Sequence, residues 1–184
     1  MMFRFHFLVQ FLAVNVLLGN GAGGFGTPMT YPLGSGQLPT AIAVGNIDGD
    51  THGDIITANE SGLSVLLGNG AGAVGTPIHS GIGQGLRSVA LGDVDGDGHL
   101  DTLTSGGGSS VYVHKGDGLG GFTAQPVLNA GIPVDSAVMG DINDDGRVDL
   151  HLTEIRIHRR VDCQIAREAV LGLGAGRGKG GRAA

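Results

Sequence analysis

The stretch Gly92-Asp93-Val94-Asp95-Gly96-Asp97-Gly98-His99-Leu100-Asp101 places carboxylates at alternate residues and one more at its end. It has two gapless companions, GNIDGDTHGD (45–54) and GDINDDGRVD (140–149), and the three starts lie 47 and 48 residues apart. A second motif recurs in the same phase: VLLGNGAGGFGTP (16–28), VLLGNGAGAVGTP (65–77) and, more loosely, VHKGDGLGGFTAQP (113–126), at spacings of 49 and 48. Two motifs locked at one spacing define a repeat. A period near 48 residues falls among repeats that build propeller blades, not among shorter helical or leucine-rich ones.

Working outward, each acidic stretch is flanked by short apolar runs. Ala41–Val44, Val89–Leu91 and Ala137–Met139 precede it; Ile55-Ile56-Thr57 and Leu103-Thr104 follow. Leu63–Leu67 or Val111–Val113 leads into the glycine-rich motif, and a fourth run such as Ile78–Ser80 comes after the proline. The runs are short and bounded by Gly, Pro, Asn, Asp and Ser, the signature of strands and turns. The reading is all-β over residues 40–150, a partial propeller of about three four-stranded blades.

Composition agrees. Among 184 residues there are 37 Gly and 6 Pro, but glycine keeps no triplet period, which excludes collagen. With 15% charged residues the chain is no coiled coil, and one Cys excludes a disulfide scaffold. The net charge of −6 is unevenly spread: residues 1–150 carry 14 acids and 4 bases, residues 151–184 carry 3 acids and 7 bases. Most of the acids sit in the three clusters, which points to a cation rather than to general solubility.

The ends depart from the repeat. Residues 1–18 (MMFRFHFLVQFLAVNVLL) read either as a secretory signal, with one Arg ahead of an apolar stretch, or as a partial blade, because Val14–Leu18 aligns with Leu63–Leu67. The apolar stretch is too short for a membrane span. The repeat region covers residues 14–150. Residues 151–184 form an aberrant basic tail: 155–171 permits an amphipathic helix, and the Gly/Arg-rich 172–184 is expected to be partly disordered. A change of reading frame near residue 153 would account for the break. Nucleic-acid binding by the tail is not expected, since its bases are interrupted by glycine and no aromatic accompanies them.

The chemistry lies in the acidic loops. In the second, Asp93, Asp95, Asp97 and Asp101 hold positions 1, 3, 5 and 9, with Gly98 at position 6 to turn the chain and the carbonyl of His99 at position 7 free to face inward. Carboxylates this crowded repel one another unless a cation joins them. Six to eight flexible oxygens suit calcium better than magnesium, which keeps its waters, and zinc lacks its Cys and His ligands. The third loop repeats the scheme with Asp141, Asn143, Asp145, the carbonyl of Arg147, and Asp149. The first departs: Asn46 stands at position 1, ahead of Asp48, Asp50, the carbonyl of His52, and Asp54, and Thr51 replaces the glycine at position 6. A positive φ would strain that threonine, so this site is expected to be the weakest or empty. Asp- and Gly-rich turns without metal are the bland alternative; three in phase weigh against it.

Two other readings fail. An EF-hand needs Glu at position 12, where Thr57, Thr104 and Leu152 stand here. Gly19-x-Gly21-x-x-Gly24 and Gly116-x-Gly118-x-x-Gly121 match a dinucleotide fingerprint, but Pro or Gly follows within a few residues, where the fingerprint needs a helix. Hairpin turns are expected instead.

The pairing of DxDxDGxxD loops with GNGxGxFGTP segments resembles the FG-GAP repeats of integrin α-subunit propellers and the bacterial VCBS repeat proteins. The resemblance spans about residues 14–150. It implies propeller blades with calcium in the loop joining the first two strands of each blade. The ligands it implies are Asp93, Asp95, Asp97, His99 (backbone) and Asp101; Asp141, Asn143, Asp145, Arg147 (backbone) and Asp149; and Asn46, Asp48, Asp50, His52 (backbone) and Asp54. It also implies an extracellular setting and a role in adhesion or ligand binding.

Two full repeats with parts of two more cannot close a propeller of four to eight blades. Either the chain oligomerises or it is a piece of a longer product, which the irregular ends favour. No enzyme is expected: G-x-S-x-G is absent, and His158 near Cys163 lies in the aberrant tail. The expected function is a calcium-stabilised extracellular module that binds a glycan or protein through its loops. The alternatives are an accessory domain of a secreted hydrolase, or a truncated product without independent function. Asn59-Glu60-Ser61 is a glycosylation sequon in a suitable host.

Overall fold

The structure, a computed structural model, describes residues 12–154 and 169–171. These residues form strands and turns without a helix. Two complete blades stand in the middle of the chain. The first runs β3 (Pro39–Gly45), β4 (Asp54–Asn59), β5 (Gly62–Leu66) and β6 (Ile78–Ser80); the second runs β7 (Ser88–Gly92), β8 (Asp101–Ser105), β9 (Ser110–Gly116) and β10 (Phe122–Ala124). Each is an antiparallel meander in chain order, and β11 (Leu128–Asn129) extends the outer edge of the second along β9. Pro126, which has no N–H to give, lies in the break between β10 and β11.

Partial blades flank these two. Ahead of them, β1 (Ala13–Val16) pairs with β2 (Met29–Pro32); behind them, β12 (Ser136–Gly140), β13 (Asp149–Thr153) and β14 (Ala169–Leu171) form a three-stranded sheet. The helix expected over 155–171 is therefore wrong at its end, where residues 169–171 are strand. Backbone pairing to the open edge of β13 prevails there over a weak i, i+4 apolar spacing. Residues 155–168 and 172–184 lie outside the described residues, as does most of the segment read as a signal or partial blade. Its residues 13–16 are strand β1. Among the described residues, no helix is long and apolar enough to cross a membrane.

The blades stack face to face, which explains an otherwise odd burial pattern. Every residue of β4 and β5 is buried, with no polar-out alternation. The reason is cover on both faces. Ile55 and Leu66 join Val14 and Leu33 of the preceding half-blade, while Ile56, Ala58, Leu63 and Val65 join Ile47 and Leu86 and meet Val89 and Leu91 of the next blade. A third layer places Leu103, Val111 and Val113 against Val134, Ala137, Leu150 and Leu152. The first strands β3, β7 and β12 pack side by side along the inner rim.

One buried group has a pH signature. His114 on β9 is 1% exposed, stacks on Tyr112 with 6.3 Å between ring centroids, and has no partner for Nδ1. Burial pushes its pKa down from 6.5 to about 4. The unfolded chain thus takes up a proton that the fold refuses. Stability is complete above pH 6.5, falls as the pH drops toward 4, and levels off below that. The loss should reach about 3 kcal/mol. Urea unfolding at pH 7 and pH 4.5 should show it, and a His114→Gln variant should lose that part of the slope. An identical slope in both proteins would refute the assignment.

Candidate metal site

Each acidic loop joins the first two strands of a blade, β3 to β4, β7 to β8 and β12 to β13. The turn is built by two left-handed residues rather than one. Position 6 has positive φ in all three loops (Thr51 78°, Gly98 87°, Gly146 79°), and so does position 4 (Gly49 79°, Gly96 79°, Asp144 58°). Alternating left-handed residues turn the intervening odd positions toward one side of the loop. Sequence reading found the glycine at position 6 and overlooked position 4, although Gly49 and Gly96 were visible there. Aspartate tolerates the left-handed region better than threonine does. A Thr51→Gly variant should therefore gain about 1 kcal/mol in urea denaturation; a loss of stability would contradict the strain.

The last aspartate anchors the loop to the sheet. Asp54 is fully buried; its Oδ2 accepts from the N–H of Ile47 at 2.7 Å and its Oδ1 from that of Gly68 at 2.7 Å. Asp101 does the same with Val94 at 2.8 Å and Gly116 at 2.9 Å. Each carboxylate thus ties its loop to the end of the third strand. Gly68 and Gly116 have no room for a side chain: a Cβ would lie 2.1 Å from the Gly53 carbonyl oxygen or 2.2 Å from that of Leu100. This explains the glycine at the fourth position of the second motif, after VLL or VHK. In the third loop Asp149 Oδ2 accepts from Ile142 at 3.1 Å, and among the described residues no glycine N–H reaches its Oδ1.

Two of the loops draw their carboxylates together. Asp48, Asp50 and Asp54 each offer an oxygen within 4.8 Å of the others, and so do Asp93, Asp95 and Asp101. Donors about 2.3–2.6 Å from one calcium ion lie at most about 5 Å apart, so both groups fit it. In the first loop Asn46 Oδ1 is also buried and lacks any partner, as an oxygen reserved for a cation would be. The loop expected to be weakest thus assembles its oxygens despite the strain at Thr51. In the second loop Asp93 accepts N–H bonds from Gly96, Asp97 and Gly98, while Asp97 turns its Oδ1 to the N–H of His99 and stands outside the group. Lys115 pairs with Asp95 and holds its carboxyl below the usual range; the carboxylate in turn raises the lysine. That lysine, unnoticed in the sequence, is a competitor for the cation. In the third loop Asp141 and Asp145 accept backbone N–H bonds locally, Asn143 leans on Asp145, and its carboxylates do not form such a group.

The glycine-rich motifs are hairpins. Asn20, Asn69 and Asp117 each cap two N–H groups of the turn that follows, and Gly19–Phe25 and Gly68–Val74 close as bridges. No helix follows to receive a pyrophosphate.

No curated protein sequence matches the chain. A lectin from Agrocybe aegerita, solved for its recognition of non-reducing terminal N-acetylglucosamine, shares its fold with a TM-score of 0.51 at 20% identity. The match covers 86% of this chain and 46% of the lectin, so the chain spans less than half of that protein's length. Residues 46–104, which hold the first two acidic loops and the blade between them, match the family model of the FG-GAP-like repeat.

Proposed function

We propose that this protein is a calcium-stabilised ligand-binding repeat module that works outside the cell, with calcium structural rather than catalytic. The observation that carries the reading is the convergence of Asp48, Asp50 and Asp54 beside the orphaned oxygen of Asn46. The donors are all hard oxygens, and all come from one loop anchored at both ends to a sheet. A cation there holds two strands together and relieves the repulsion among carboxylates. The likeness to a sugar-binding lectin supports a glycan as the ligand, bound at loops other than the acidic ones. Weak, flexible sites of this kind suit the millimolar calcium of extracellular fluid.

Thermal unfolding tests the metal. At about 100 times its dissociation constant, one bound calcium stabilises a fold by about 2.7 kcal/mol, worth about 5–10 °C in a protein of this size. Calcium should raise the Tm by that amount after chelation, magnesium much less, and Asp48→Asn should reduce the shift. No calcium-dependent change at 5–10 mM would refute it. Titration with N-acetylglucosamine and a panel of terminal sugars tests the ligand separately.

A further inference from the structure

Among the described residues the two end sheets carry different strands of a blade, apart from the three-residue β14 at the edge of β13. Offset by 49 residues, β1 and β2 correspond to β5 and β6, the third and fourth strands; offset by 48, β12 and β13 correspond to β7 and β8, the first and second. We propose that a second copy of this chain completes each half, with β1–β2 of one copy joining β12–β13 of the other. Two such joins and two complete blades from each copy close a six-bladed ring, within the range that propellers adopt.

Four observations carry this. First, the glycines of the leading half-blade lack the neighbours that pack on their equivalents. A Cβ at Gly19 or Gly21 would meet none of the described residues within 4 Å, whereas at Gly68 and Gly116 it would strike a loop carbonyl and at Gly70 and Gly118 the rings of His52 and His99. Second, Asp149 has the converse deficiency. Its counterparts Asp54 and Asp101 receive the N–H of Gly68 and Gly116, and the glycine equivalent to these that has no aspartate is Gly19. Third, apolar side chains are exposed on the two inner-rim strands that the join would bring together: Ile42 (57%) and Val44 (68%) on β3, and Val138 (53%) on β12. Within one chain the first strands pack on one another, so β12 of one copy would pack on β3 of the next. Fourth, a cleft of about 290 Å³ opens between the half-blade and its neighbour, lined by Val16, Val44, Gly53 and Ile55. This is where the partner's β12 and β13 would lie. In the single chain β14 occupies the edge of β13 with three residues, and among the described residues no N–H caps Asp149 Oδ1. The four residues of β1 would take its place.

Light scattering on the full chain is the test. The expected mass is twice the 18.5 kDa of one chain. Gly19→Val should return it to 18.5 kDa with an unchanged circular dichroism spectrum, because a Cβ there meets none of the single chain's described residues within 4 Å but would strike the partner's loop. Val44→Asp, at a position already exposed, should do the same by an independent route. A wild-type protein that is monomeric at tens of micromolar, a ring of three or more copies, or a dimer that survives both substitutions would overturn the proposal.

Discussion

Asp101→Ala is expected to cost about 3–5 kcal/mol of folding stability in urea denaturation, with calcium absent. The carboxylate is fully buried and accepts from two backbone N–H groups, those of Val94 and Gly116. Truncation leaves both donors unpaired, at about 1–3 kcal/mol each, and detaches the loop from the third strand. Asp54→Ala should behave alike, since Asp54 binds Ile47 and Gly68 in the same way. Asp97→Ala, an exposed residue with a single local bond, should cost under about 1 kcal/mol in the same calcium-free conditions. Equal losses at Asp101 and Asp97 would mean that the anchoring role is misassigned. The contrast separates two functions within one motif: position 9 builds the fold, while the other odd positions offer oxygens outward.

Gly116→Ala should be comparably severe, about 3 kcal/mol or more. The new Cβ would sit 2.2 Å from the Leu100 carbonyl oxygen, a backbone atom that cannot rotate away. The sheet must then separate, and overpacking of this kind costs about 1–3 kcal/mol before the weakened Asp101 bond is counted. Gly68→Ala should match it, with the Gly53 oxygen at 2.1 Å. Because the glycine and the aspartate share one contact, Asp101→Ala combined with Gly116→Ala should lose less than the sum of the two single changes. Additive losses in that double-mutant cycle would show that the two residues act separately. Gly19→Ala, in the same motif but with open space around it, should change the stability of a single chain by less than about 0.5 kcal/mol.

Much of the fold could be read from residue order because its signals are local and repeated. Short β-branched runs between Gly, Pro and Asp clusters place the strands, and two motifs in one phase place the blades. The aspartates at alternate positions mark the loops, and Pro28 and Pro77 after the glycine-rich turns exclude a phosphate-binding helix. The tail was misread at residues 169–171 because a three-residue strand has too little period of its own. Its pairing with β13 is a contact across sequence that spacing does not show.

The site was legible only in outline. Composition and spacing determined that carboxylates crowd in three loops, that the chain is built of β repeats, and that Thr51 would be held in a strained backbone. Tertiary structure decided which carboxylates meet. Asp48, Asp50 and Asp54 converge, Lys115 claims Asp95 from a neighbouring strand, and Asp149 lacks the glycine that holds its counterparts. The physical reason is distance. Loop geometry follows from φ values set residue by residue, but a buried carboxylate is positioned by N–H donors that arrive from 14 or 15 residues away, once the third strand has docked beside the second.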